Sequence, residues 1–210
     1  MPKESFESSQ ESDPREAVDA FIKSFEGLTL ETADGKSVEV VKERMNVIPH
    51  SEEDLHSEGL VIKFKGYKTE QSHGNYLALI INPKYKYIEI SLVRLTDKDL
   101  QGKNIYQELM KHMGANFPEG FTLRASIEHY KTKEKITKLF NSFKEGSIVE
   151  DDLKAGIMKS GMLKTVNNAG FNDIKAVLAG EDVQIQANKN TESEEMALSV
   201  GIVDSEESRP

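Results

Sequence analysis

Apolar residues recur along this chain with two periods, and the switches between them predict its elements. Alternation marks strands over residues 60–64 and 76–81, and again through Ile88, Ile90 and Leu92. Helical spacing takes over at Ile105, Leu109 and Met113. After the turn cluster at residues 116–120, alternation returns over 121–127. A second amphipathic helix over 132–143 then collects Ile136, Leu139, Phe140 and Phe143 on one face. Near the end, Ile174, Ala176 and Leu178 alternate, and Gly180-Glu181-Asp182 turns the chain into Val183-Gln184-Ile185 as a hairpin. At the start, Asp13 is a natural N-cap for a helix over 14–25 carrying Ala17, Val18, Phe21, Ile22 and Phe25. Asp34-Gly35 then reads as a hairpin turn between residues 28–30 and 38–40.

The stretch from Tyr87 to Tyr106 carries the most chemical information. A strand runs into a polar turn, and Gln101-Gly102-Lys103-Asn104-Ile105 opens a helix. The first backbone N–H groups of a helix have no intrahelical partner and the helix dipole is positive there, so such a turn can cradle a phosphate. Gly102 lets the backbone come close. The segment resembles the phosphate loop of the GNAT superfamily, the acyl-CoA-dependent N-acyltransferases. Their signature is Gln or Arg, two variable residues, Gly, one variable residue, then Gly or Ala. Gln101 matches the first position, Asn104 stands where the family has Gly, and Tyr106 stands where it has Gly or Ala. Asn is the non-glycine residue that best tolerates a left-handed backbone.

The resemblance implies an α/β fold with a mixed, mainly antiparallel sheet flanked by helices, and acetyl-CoA or another acyl-CoA as co-substrate. It covers residues 28–187 by element order, and 101–106 by motif. It places Gln101, Gly102, Lys103, Asn104 and Ile105 on the pyrophosphate, and a backbone donor near Leu92 or Val93 on the thioester carbonyl. Glu89, Glu128 and His129 are the candidate bases. The family's usual acid is a tyrosine one residue after an inward leucine of the fourth helix; here Leu139 is followed by Phe140. The chain therefore reads either as an acyltransferase for a small-molecule or peptide amine, or as a non-catalytic binding or assembly module with a degenerate phosphate loop. Acceptor, acyl group and oligomeric state are left open.

Composition narrows the alternatives. The 210 residues support one domain, expected over 13–188. A helical insertion is expected at about 146–169, where Glu150, Asp151 and Asp152 open a helix and a shorter one follows over 162–168. Residues 1–12 and 189–210 are expected to be disordered acidic tails. The first 19 residues and the last 22 each hold six acidic and two basic side chains, which leaves the middle near neutrality within a net charge of −9. Without a clustered basic face, nucleic-acid binding is not expected. No run approaches the ~20 apolar residues of a membrane span, no secretory leader is recognisable, and there is no cysteine. A cytoplasmic protein is expected. The five histidines lie scattered, without the spacing of a metal site.

Overall fold

The computed structural model describes residues 13–32, 34–49, 51–67, 74–98, 100, 104–127, 130–190, 193 and 195–203. Helix α1, Pro14–Lys23, is capped by Asp13, whose carboxylate accepts from the Arg15 N–H at 2.9 Å. A hairpin follows, β1 at Thr29–Glu31 and β2 at Ser37–Met45. After a single 3-10 turn at Asp54–His56 come β3, Glu58–Phe64, then β4, Tyr76–Asn82, and β5, Tyr87–Arg94. Helix α2, Ile105–Ala115, crosses over to β6, Thr122–Ser126. Three helices follow, α3 at Tyr130–Lys144, α4 at Glu150–Met158 and α5 at Gly161–Asn168. The chain closes with β7, Asp173–Ala179, β8, Asp182–Asn188, and β9, Ala197–Val203.

The fold is α/β, built on a nine-stranded mixed sheet in the order β1-β2-β3-β4-β5-β6-β8-β7-β9. Two pairings are parallel, β5 with β6 and β7 with β9; the others are antiparallel. Alternation gives the sheet its two characters. Leu60, Ile62, Leu79, Ile81, Ile88, Ile90, Leu123, Ala125, Ile174 and Ile185 join one core cluster with side chains from all five helices. The intervening residues of the central strands, among them Glu89, Arg124, Gln184 and Gln186, make a polar face.

The inserted helices are anchored by close contacts. A Cβ on Gly114 would lie 1.8 Å from the Ala169 carbonyl oxygen, so only glycine lets the end of α2 approach the end of α5 this closely. At Gly156 of α4 a Cβ would lie 2.5 Å from the Leu139 Cδ1 of α3, a side-chain tip that would have to shift. The insertion is therefore a packed part of the domain.

One expectation needs correcting. Within the supposed tail over residues 189–210, Ala197–Val203 forms β9, paired residue for residue with β7. Leu198, Val200 and Ile202 alternate there and pack against the core, while the acidic residues on either side hide that period in the composition of the window. Removing residues 191–210 should therefore strip half-buried apolar surface and the outer ladder of β7. At about 25 cal/mol per Å² the loss is on the order of 2–4 kcal/mol. Melting should fall by roughly 5–15 °C, and an unchanged midpoint in a thermal denaturation scan would show that β9 carries no stability.

Candidate functional site

The parallel β5–β6 pair sets the site. Its register runs from Tyr87↔Thr122 to Ile90↔Ala125 and stops there, although β5 continues to Arg94. On the other side of β5 the pairing with β4 slips at the same point: Leu79 faces Ile90, Ala78 faces Leu92, and Ser91 is the extra residue. A bulge sharpens the twist of its strand. From Ser91 onward β5 leaves β6, and among the described residues its edge toward β6 has no strand partner.

A cavity of about 500 Å³ occupies the gap. Its walls come from Ile90 to Val93 of β5, Ser126 and Ile127 at the end of β6, Asn104 to Gln107 at the start of α2, Thr132 of α3, and Gly161, Met162 and Thr165 of α5. The surface these walls expose is more apolar than polar. At one end α2 begins without a side-chain cap, with Asn104 in the left-handed region at φ 59°, ψ 6°. The strand leading to this turn is pinned by Asn75, 1% exposed, whose side-chain oxygen accepts from Thr96 N–H at 2.8 Å and Asp97 N–H at 2.9 Å. Tyr106 stands in the cavity wall and also borders an apolar crevice with Phe64, Val93 and Leu109. Burial pushes its phenol up to about 12, so it stays protonated.

On the polar face a second crevice of about 250 Å³ is lined by Glu89, Arg124, Ala125, Ser126, Gln184, Ile185 and Gln186. Glu89 and Arg124 are register partners across the parallel ladder. The Arg124 guanidinium carbon lies 3.9 Å from the Tyr87 ring centroid, and its Nη1 donates to Glu53 at 3.0 Å. Glu53 is brought there by Asn82, fully buried, whose amide donates to the Glu53 carbonyl at 2.8 Å and to the Ser57 hydroxyl at 3.0 Å. Burial raises the pKa of Glu89; Arg124 opposes the rise, while Asp54 and Glu53 add to it. Ser126, at the end of β6, lines both hollows, one on each face of the sheet.

The expected site residues divide accordingly. Leu92, Val93, Asn104 and Ile105 come together in the cavity wall. Glu89 lies on the opposite face, in the crevice. Gln101, Gly102, Lys103, Glu128 and His129 lie outside the described residues. Phe140 is fully buried in the core and is not part of the cavity wall, so position 140 offers no place for a proton donor. Sequence reasoning passed over Arg124, Gln184 and Gln186, whose outward alternation was visible but whose approach to Glu89 depends on pairing between distant strands. No family model, no curated protein and no solved structure matches this chain. Among the described residues there is no group of three or more metal-ligating side chains, and no helix is long and apolar enough to cross a membrane.

Two variants test this geometry. Because the pKa of Glu89 is raised, the folded state binds its proton more readily than the unfolded chain does. The resulting stabilisation is fully present below the ordinary carboxylate value and is lost as pH rises through the folded one. Glu89→Gln should therefore melt a few degrees higher than the native chain at pH 7, with the difference vanishing below about pH 4. A lower midpoint at neutral pH would refute the burial of this charge. Phe140→Tyr should cost about 1–3 kcal/mol, because a hydroxyl would be sealed in the core without a partner; urea denaturation reads this directly.

Proposed function

We propose that this chain is an acyl-CoA-dependent N-acyltransferase of the GNAT type. The observation that carries the reading is an apolar cavity at the start of α2, separated only by Ser126 in their shared lining from a crevice holding a half-buried carboxylate. A cavity of this kind suits the long, amphipathic pantetheine arm, and the first-turn amides of α2 suit the pyrophosphate. Acyl-CoA supplies the thioester: the amine nitrogen bonds to the carbonyl carbon as the carbon–sulfur bond breaks and CoA leaves as the thiolate. A backbone N–H of the Leu92–Val93 segment polarises the carbonyl oxygen. Glu89 takes the proton that the ammonium must lose, directly or through a water, and passes it to solvent. Its raised pKa moves the carboxylate toward the working range of a general base.

A second reading keeps the cavity and drops the chemistry. It is favoured by the absence of a tyrosine at the sealed position 140 and by the ring of Tyr106 in the cavity wall. Binding and turnover separate the two. Millimolar CoA should raise the melting temperature of the native chain. Gly161 lines the cavity and has open space where a Cβ would stand, so Gly161→Leu should fold normally and abolish the rise. Acetyl transfer to a panel of amines should be measurable, and Glu89→Gln should lower kcat by about 10²- to 10⁴-fold. Binding without transfer to any amine would leave the module reading, and no binding at all would remove both.

A further inference from the structure

The two edges of the sheet are built differently. At one, β1 is three residues long; at the other, β9 offers seven, with neither a charged residue nor a proline among them. Short length, charge and proline are the devices that keep an edge strand from recruiting another, and β9 has none of them. The Ala197 N–H donates to the Asn172 carbonyl at 2.6 Å, and the register with β7 continues residue for residue to Val203. In a parallel ladder the backbone groups of alternate residues point to the same neighbour, so those of Ala197, Ser199, Gly201 and Val203 face β7. The N–H and C=O groups of Leu198, Val200 and Ile202 therefore point out of the sheet, where β9 has no strand partner among the described residues. The side chains of the same three residues lie beside Ile174, Ala176 and Leu178 on the helix-covered face. They are only partly buried, so an apolar strip runs along the open edge.

Charge says what fits there. At the first end of β9 stand the exposed Glu195 and Asp173, the latter the register partner of Ala197. At the other end, next to Ala179, which partners Val203, stand the exposed Glu181 and Asp182, and Asp182 is shared with Lys133. The sequence adds further acids on both sides, two in residues 192–194 and three in 204–207. Lys175 of β7 lies on the polar face, and Lys189 donates to the Gly114 carbonyl. A second copy of β9, paired about a two-fold axis at Val200, would bring the acidic flank of one chain against that of the other, and opposed like charges are destabilising. We propose that the outer edge of β9 docks an extended segment of another protein that carries aliphatic residues at every second position and lysine or arginine at both ends. Its backbone pairs with the outward groups of Leu198, Val200 and Ile202, and its aliphatic side chains continue the apolar strip. Its basic ends meet the acids that flank the strand. Strands β8 and β7 separate this edge from β6 and the cavity, so the docking site is independent of acyl transfer.

Amide hydrogen exchange on the full native chain tests this without a variant. In the free protein the amides of Leu198, Val200 and Ile202 should exchange at least ~10-fold faster than those of Ser199 and Gly201, which are bonded to β7. Equal protection of all five would show that the edge is already taken and would overturn the inference. The probe is the capped peptide acetyl-Lys-Lys-Val-Thr-Val-Thr-Val-Lys-Lys-amide, which should slow exchange at Leu198, Val200 and Ile202. If the peptide leaves those three amides unprotected, the docking site is wrong. By fluorescence anisotropy of the labelled peptide, binding should be at least ~10-fold tighter than for the same peptide with glutamate in place of the four lysines, and it should weaken with added salt. Equal affinity for the two would remove the basic partner. Val200→Pro deletes an outward N–H and no bond to β7, and proline is tolerated on an edge strand, so this variant should fold and bind the lysine peptide at least ~10-fold more weakly. Should it unfold, the exchange pattern of the native chain decides. Sedimentation of the native chain should show a monomer at this edge; a dimer whose formation protects the same three amides would make a second copy the occupant and overturn the proposal.

Discussion

Everything distinctive about this molecule depends on one parallel strand pair that stops early. β5 and β6 share a ladder from Tyr87 to Ile90, long enough to hold the two halves of the sheet in register. Beyond Ile90 the bulge at Ser91 carries β5 away, and the unpaired strand edge would be a liability if water or another chain covered it at random. Helices α2, α3 and α5 enclose it instead, converting a break in the sheet into a lined cavity. A parallel pair requires a crossover, and α2 is that crossover, so its N-terminus necessarily arrives near the end of the strand it follows. The juxtaposition of an uncapped helix start with an open strand edge is a consequence of topology.

Two buried asparagines hold the surroundings of that gap. Asn75 fixes the backbone as it leaves β5, and Asn82 draws the segment at Glu53 onto the sheet. Each satisfies several backbone groups at once, which is how a loop with many polar atoms can lie against a core without orphaned partners. Through Asn82 the placement of Glu53 becomes a matter of buried hydrogen bonding, and through Glu53 so does the orientation of Arg124. The exposed salt bridges along β2 and β3, such as Lys65 to Glu39 at 2.6 Å, contribute little by comparison because water screens them.

The face of the sheet away from the helices explains why a carboxylate and a guanidinium lie side by side in partial burial. Both belong to central strands, where neighbouring strands and the segment at Glu53 and Asp54 remove part of the solvent. Glu89 is thus desolvated enough for its pKa to rise, yet remains reachable from the crevice. Arg124 moderates the rise and is itself left with one unused donor.

Much of this was legible from residue order. Periodicity located the strands at Leu60, Tyr76 and Ile88, the helices opened by Asp13 and Glu150, and the outward direction of Glu89, because side-chain direction in a strand or helix follows from local geometry alone. The left-handed backbone at Asn104 is one that asparagine tolerates better than other non-glycine residues. Strand β9 was missed because a short alternating run inside an acidic window gains its stability from β7, a neighbour that local composition does not reveal. The same holds for the site. That Glu89 would meet Arg124 depends on a register between strands more than thirty residues apart, and that α5 would wall the cavity depends on Gly114 admitting the Ala169 carbonyl. Sequence by itself determined which residues face in and out of the regular elements, but not the bulge at Ser91, after which Leu92 pairs with Ala78 and leaves the face of Ile88 and Ile90. Tertiary structure decided which of those faces meet, because pairing and packing are satisfied only when distant segments lose their water together.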